Sequence, residues 1–258
     1  MSPDAAAAPA IEMDGLTKRY GETTAVSSVT TTIESGTVYG FLGPNGAGKT
    51  TTMKMLTTLT RPTEGSARVA GQSITDRPAV TPHIGYLPEE PPLYDELTGR
   101  EQLEYVAGLR ELPTERARAD IEAMLDRFDL ADDADKRISD YSKGMRQKVG
   151  VIQAVLHEPA VAFLDEPTSG LDPRAARTMR DTIAELADRE MTIFLSTHIL
   201  PVVEELADEV GVIHDGELVA EGSPAELAAE AEAGEGGTLE DAFLSITREP
   251  DAPVAEAE

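Results

Sequence analysis

Hydrophobic and polar residues alternate along residues 11–33, a pattern typical of antiparallel strands that bury one face. Gly21 and Glu22 interrupt the alternation and predict the turn between two strands. Continuous apolar runs at 37–42, 161–164 and 192–196 instead predict strands that are covered on both faces, as in a central parallel sheet. The chain therefore combines an antiparallel segment with a buried sheet.

Helical periodicity dominates residues 98–157, where apolar residues recur every three or four positions. This pattern predicts a helical insertion of about sixty residues, and further helices are predicted over 173–189, 201–207 and 239–246. We expect residues 1–10 to be a disordered leader, and 229–258 to be a linker, a short amphipathic helix and an acidic tail.

Composition narrows the functional classes. The 258 residues carry a net charge of −26, with 48 acidic residues against 22 basic ones, and contain no cysteine. Disulfides and cysteine-ligated metals are therefore excluded, and no apolar run approaches the ~18 residues of a membrane span. Such a surface repels nucleic acid, so no nucleic-acid partner is expected. The acid excess favours a halophilic cytosolic protein; an acidic tail is the alternative and explains part of it.

The segment Gly43-Pro44-Asn45-Gly46-Ala47-Gly48-Lys49-Thr50 matches the phosphate-binding loop G-x-x-x-x-G-K-[ST]. Its glycines let successive backbone N–H groups face phosphate oxygens, and the following helix adds its positive N-terminal end. Lys49 can reach the β- and γ-phosphates, and the Thr50 hydroxyl can bind Mg²⁺. The flanking strand and helix are the context that this motif requires.

Two carboxylates, Asp165 and Glu166, end the apolar strand at 161–164. Asp165 could hold Mg²⁺ and its water, and Glu166 could polarise an attacking water molecule. Taken alone, two acids are also compatible with a strand that simply ends at the surface, but a phosphate-binding loop in the same chain favours the catalytic interpretation. Ser142 precedes a predicted helix and can cap it, although a serine there is by itself a weak signal.

The order of these motifs resembles the ATP-binding subunits of ABC transporters over about residues 11–222. The phosphate loop, a signature segment at 141–147, the strand ending in two acids, the segment 169–172 and His198 follow one another as in that family. The resemblance implies an α/β fold, with a RecA-like P-loop NTPase core, an antiparallel β subdomain and an α-helical subdomain inserted at about residues 90–158. The nucleotide-binding domain would then span residues 11–228.

The resemblance also implies a role for individual residues. Tyr20 would stack on adenine, although a half-exposed strand tyrosine is the plainer alternative, and residues 43–51, which include Thr51, would wrap the phosphates of ATP. Ser142 and Gly144 would contact the γ-phosphate bound to a second subunit, and Asp172 would link the two sites. Catalysis would rest on Glu166, His198 and Lys49, and Mg²⁺ on Thr50, Glu89 and Asp165.

Two positions depart from the family pattern. Lys143 stands where the usual signature, Leu-Ser-Gly-Gly-Gln, has a glycine, and Glu89 stands where a glutamine usually senses Mg²⁺ and the γ-phosphate. Both departures, and the segment 238–244, resemble a branch whose ATPases pair with separate six-helix permeases that are often exporters.

These features predict an ATPase subunit that binds an integral membrane permease at the cytoplasmic face of the membrane. In its ATP-bound state the subunit is expected to form a homodimer. The loop 89–98, stiffened by Pro91 and Pro92, would receive a short helix of the permease. Two alternatives stay open: a soluble ABC-type ATPase that is not coupled to transport, and a nucleotide-dependent regulator with low turnover.

Overall fold

The computed structural model describes residues 8–188, 191–230 and 238–247. The strands in these ranges are β1 Ile11–Tyr20, β2 Thr23–Ile33, β3 Val38–Leu42, β4 Glu64–Val69, β5 Gln72–Ser73, β6 Ile84–Leu87, β7 Val161–Asp165, β8 Thr192–Thr197, β9 Glu209–His214 and β10 Glu217–Gly222. The helices are α1 Lys49–Leu56, α2 Arg77–Val80, α3 Gly99–Leu109, α4 Thr114–Arg127, α5 Lys143–Val155, α6 Pro173–Ala187, α7 Leu200–Leu206, α8 Pro224–Glu230 and α9 Leu239–Ile246.

Two sheets carry the fold. An antiparallel sheet has the order β2-β1-β4-β5, and a six-stranded sheet has the order β10-β9-β3-β8-β7-β6. All neighbouring pairs in the second sheet are parallel except β10 with β9. Because β3, β8 and β7 are adjacent and parallel, the segments that follow them meet at one edge of the sheet. The predicted α/β class is confirmed.

Aromatic rings cover the face of the six-stranded sheet that packs against apolar residues of the antiparallel sheet. Tyr39 and Phe41 of β3, Phe163 of β7 and Phe194 of β8 are fully buried, and their ring centroids lie 5.2 to 6.5 Å apart. A second core lies between the six-stranded sheet and the helices α3 to α6. Removing one such phenyl ring costs about 3–5 kcal/mol, so the strands that lead to the site are held rigidly.

Several boundaries differ from the sequence prediction. Ala10, assigned to the leader, is buried and donates its amide hydrogen to the Ile33 carbonyl at 2.8 Å, so it continues the first sheet. The predicted strand at residue 37 begins at Val38, and the helix predicted to reach residue 189 ends at Ala187. The acidic tail and most of the linker and leader lie outside the described residues. No helix in the described ranges is long and apolar enough to cross a membrane.

Candidate active site

The loop between β3 and α1 has a backbone that only glycine accommodates easily. Gly46 and Gly48 have φ values of 85° and 109°, in the region where other residues are strained. A Cβ atom on Gly48 would lie 2.6 Å from the Ala25 carbonyl oxygen of β2. The loop can therefore curl closely beneath β2. The N-terminus of α1, which directly follows the loop, faces a cleft that is described below.

Lys49, the first residue of α1, points its amine back into this loop. Its Nζ donates to the carbonyl oxygens of Gly43 at 2.7 Å and Pro44 at 3.1 Å. It also lies 3.5 Å from Oε1 of Glu166, and both side chains are less than a tenth exposed. One buried cation thus links the phosphate-binding loop to the acid that follows β7.

Asp165 is held by hydroxyl groups on both sides. The Thr50 hydroxyl donates to its Oδ2 at 2.8 Å, and the Ser196 hydroxyl donates to its Oδ1 at 2.8 Å. Asp165 is almost completely buried at the end of β7. Both predicted Mg²⁺ ligands of the core, Thr50 and Asp165, are therefore in contact, and they offer the oxygen donors that this cation prefers.

Glu166 adopts an unusual backbone conformation, with φ of 49°. A non-glycine residue in this region costs about 1–3 kcal/mol and needs support from its surroundings. That support comes from the next strand: the Thr197 hydroxyl donates to Oε2 at 3.1 Å, and His198 Nδ1 lies 2.8 Å from Oε1. The Glu166 carboxylate is consequently fixed between Lys49 and His198.

Lys49, Thr50, Glu166 and His198 line one cleft of about 560 Å³, whereas Asp165 contacts Thr50 but is not part of the lining. Glu89, from the loop after β6, also lines it, so the residue predicted as a third Mg²⁺ ligand faces the same space. Its lining residues are Ala25, Asn45, Gly46, Gly48, Lys49, Thr50, Thr51, Glu89, Glu166, Ser169 and His198. Sequence reasoning gave no role to Ala25, which has no reactive side chain and no motif. It noted Ser169 only as part of a motif.

Other predicted site residues lie apart from this cleft. Tyr20, half exposed at the end of β1, has the Lys18 amine 4.9 Å from its ring centroid, but it does not line the cleft. Ser142 caps α5 by accepting the Met145 amide at 3.2 Å, and Gly144 follows within that helix. Neither Ser142 nor Gly144 lines the cleft of its own chain.

The departure at Lys143 is accommodated without backbone strain. Lys143 is the first residue of α5 and has no positive φ. Its amine and stem lie over Gly170, where any added Cβ would collide with them. Asp172 caps α6, because its Oδ1 accepts the amides of Arg174 and Ala175 at 3.0 Å each. The signature segment and the segment 169–172 therefore pack against each other.

Comparison with known proteins agrees with this geometry. A family model described as ABC transporter matches residues 26–169. A daunorubicin resistance ATP-binding protein of Streptomyces coeruleorubidus is 41% identical over 247 residues, which cover 95% of this chain and 77% of that protein. A bacitracin transport ATP-binding protein of Enterococcus faecalis is 40% identical over 219 residues, covering 84% of this chain and 70% of that one. A solved structure of an ATP-binding subunit of an ABC transporter has a TM-score of 0.84 at 30% identity, covering 92% and 99% of the two chains.

Proposed function

This chain belongs to the ABC transporter family as an ATP-binding subunit that hydrolyses ATP to power transport, and we propose that two copies of it close on two molecules of MgATP to drive a separate export permease. ATP-binding subunits of this family work with membrane permease subunits. The observation that carries the proposal is the cluster of Lys49, Thr50, Glu166 and His198 around one cleft, with Asp165 bound to Thr50.

The residues of the cleft fit Mg²⁺. Thr50 and Asp165 would hold the ion, since Thr50 lines the cleft and its hydroxyl lies 2.8 Å from Asp165 Oδ2. Glu89 lines the same space and could add a further oxygen ligand. When bound, Mg²⁺ would neutralise charge on the β- and γ-phosphates. Ser196 keeps the Asp165 carboxylate oriented by occupying its other oxygen.

Glu166 is the group best suited to orient the attacking water. Its carboxylate is buried and held by Thr197 and His198, so its direction is fixed before a substrate arrives. Lys49 would bind the phosphates, and the neighbouring His198 would contact the γ-phosphate. Phosphoryl transfer to water requires mainly positioning and charge neutralisation, which these groups supply.

A second copy of the chain would complete each site. Ser142 and Gly144 form the N-terminus of α5 but do not line the cleft of their own subunit. A helix N-terminus attracts phosphate, so these residues are suited to the nucleotide held by a partner. We therefore propose a homodimer in the ATP-bound state. Tyr20, exposed at the end of β1, would stack on the adenine.

Coupling to the permease is proposed at the cytoplasmic face of the membrane. Tyr94 of the loop 89–98 and Tyr105 of α3 are both about half exposed and meet edge to face, with centroids 5.5 Å apart. Exposed aromatic pairs are typical of interface residues. Export as the direction is supported by the two relatives, whose names refer to daunorubicin resistance and to bacitracin transport.

The test is an affinity purification of the Glu166→Gln variant with MgATP from detergent-solubilised native membranes. A stoichiometric multi-span membrane protein, recovered with MgATP and with a dimeric ATPase, supports the proposal. Glu12→Gln is the matched control, since Glu12 is exposed on β1, lies outside the cleft and the loop 89–98, and its replacement changes the net charge equally. Recovery of soluble partners alone, from protein that binds ATP, would instead favour an ATPase that is not coupled to transport.

A further inference from the structure

Two consecutive turns connect Glu166 to the start of α6. The Ser169 amide donates to the Glu166 carbonyl at 3.0 Å, and the Leu171 amide donates to the Thr168 carbonyl at 3.3 Å. Ser169 lines the nucleotide cleft, whereas Gly170, the next residue, is exposed. Because the two turns overlap, a displacement of the second turn is passed to the backbone of Glu166.

The side chain of Lys143 lies over the second turn. Gly170, at the centre of that turn, has φ of 66°, and a Cβ atom there would lie 2.4 Å from Nζ, 3.4 Å from Cε and 3.6 Å from Cδ of Lys143. In the described ranges no carboxylate lies within 4.0 Å of this amine, so the lysine is held by packing and not by an ion pair. A Cβ atom on Gly144 would lie 3.2 Å from Ala175 Cβ and 3.9 Å from Leu171 Cδ2. The first turn of α5 therefore packs on the second turn and on α6 together.

The backbone of Glu166 is the strained end of this connection. Its φ of 49° is a conformation that persists only where the surroundings enforce it. Its amide donates to the Ser196 carbonyl at 2.9 Å, and its carbonyl accepts the Ser169 amide, so the residue is tied to β8 on one side and to the turns on the other. A shift of the turns would consequently turn the carboxylate away from the position that hydrolysis requires.

We propose that Lys143 is a positioning residue for hydrolysis, whose side chain holds the turn 168–171 and, through it, the Glu166 carboxylate of the same chain. This role rests on the proposed function and goes beyond it, because Ser142 and Gly144 at the same helix end would contact the nucleotide of the second subunit. A movement of α5 toward that nucleotide would carry Lys143 with it and adjust the turn. A glycine, which the usual signature has at this position, offers no side chain that could cover the turn.

Steady-state phosphate release by the full-length protein tests this role. Lys143→Ala uncovers the turn and should lower kcat about tenfold or more, while KM for ATP changes by less than about twofold because Lys143 does not line the cleft. Lys143→Met should restore most of the rate, since a methionine extends as far as the lysine Cε and still covers Gly170. Lys136→Ala is the control, because Lys136 is exposed and contacts Asp133 of its own chain, and it should change neither constant.

A double-mutant cycle with Glu166→Gln shows whether Lys143 acts through Glu166. In single-turnover hydrolysis, Lys143→Ala should slow the Glu166→Gln protein by less than about twofold, although it slows the protein with Glu166 about tenfold. Equal losses in both backgrounds would show that Lys143 acts on the phosphates independently of Glu166, and would overturn the positioning role.

The remaining outcomes separate this role from the proposed function. If Lys143→Met is as slow as Lys143→Ala, the charge and not the packing of the side chain matters, and the positioning role is overturned. Unchanged hydrolysis by Lys143→Ala, with an MgATP-dependent dimer in light scattering, would also overturn it and leave the proposed function intact. Absence of that dimer in the Glu166→Gln protein, under conditions in which it binds MgATP, would overturn the homodimer and with it the coupling between the two sites.

Discussion

Replacement of Glu166 by Gln should tighten ATP binding while it stops multiple turnover. In the free subunit, Lys49 Nζ lies 3.5 Å from the Glu166 carboxylate, and both groups are buried. At an effective dielectric constant of about 20, two unit charges at that distance attract by about 5 kcal/mol. ATP must compete with this attraction for Lys49, and its phosphates then lie beside the Glu166 charge.

Removing the carboxylate charge therefore favours the nucleotide-bound state. If about a third of that attraction opposes binding, the gain is about 1.5 kcal/mol, which is about tenfold in Kd. Hydrolysis should fall by about 10²–10⁴, the usual contribution of a general base. The free variant should also unfold at a lower temperature, because Lys49 keeps its two carbonyl acceptors but loses its buried counter-ion.

Titration calorimetry with MgATP and a steady-state phosphate-release assay measure the two effects. The control is Glu12→Gln, which removes one charge from an exposed position on β1 outside the cleft and should change neither quantity appreciably. Undiminished steady-state hydrolysis by Glu166→Gln would remove Glu166 from the role of base. An unchanged or weaker affinity for ATP, with the fold intact, would refute the competition between carboxylate and phosphate for Lys49.

Three further predictions concern the phosphate loop, the start of β9 and a partly buried histidine. Gly48→Ala should abolish ATP binding in a folded protein by calorimetry, because its Cβ would collide with the Ala25 carbonyl at a φ of 109°. Burial and then Glu221 raise the pKa of the Glu209 carboxyl, so the ionised carboxylate destabilises the folded protein at neutral pH. Glu209→Gln should therefore raise the melting temperature at neutral pH and low salt. This gain should vanish in acid, where Glu209 is protonated in both the folded and the unfolded protein. Burial lowers the pKa of His157 from 6.5 to about 4. The neutral side chain therefore contributes to stability above pH 6.5, and this contribution is lost as the pH falls from 6.5 to 4. Thermal melts of His157→Gln should show a weaker pH dependence in that window.

Local pattern was sufficient for the elements that position the site. The alternation at 11–33 and the turn at Gly21 predict β1 and β2, and the fully apolar runs predict β3, β7 and β8. The phosphate loop is readable because its chemistry depends on residue types at fixed spacing. β10 escaped prediction: its outward side chains include Glu217 and Glu221, so it lacks a continuous apolar run.

Contacts between distant segments could not be read from the sequence. Nothing local predicts that Lys49 pairs with Glu166, or that Lys143 lies over Gly170, because these pairs depend on the strand order and on how α5 meets the segment 169–172. The left-handed backbone of Glu166 is equally invisible, since it is imposed by contacts with the end of β8.

The distribution of charge explains how so acidic a chain can bind anions. Several of its surface arginines pair with exposed acids, as in the pairs Arg19 with Glu64 and Arg180 with Glu205, and such pairs add little stability. Lys49 differs because it is buried beside the phosphate loop, where water and salt screen it least. At the proposed site, phosphate binding would thus depend on local groups, the buried lysine and the backbone amides of the loop, and not on the field of the whole protein. The same separation lets concentrated salt screen the surface repulsion while the buried Lys49–Glu166 pair persists.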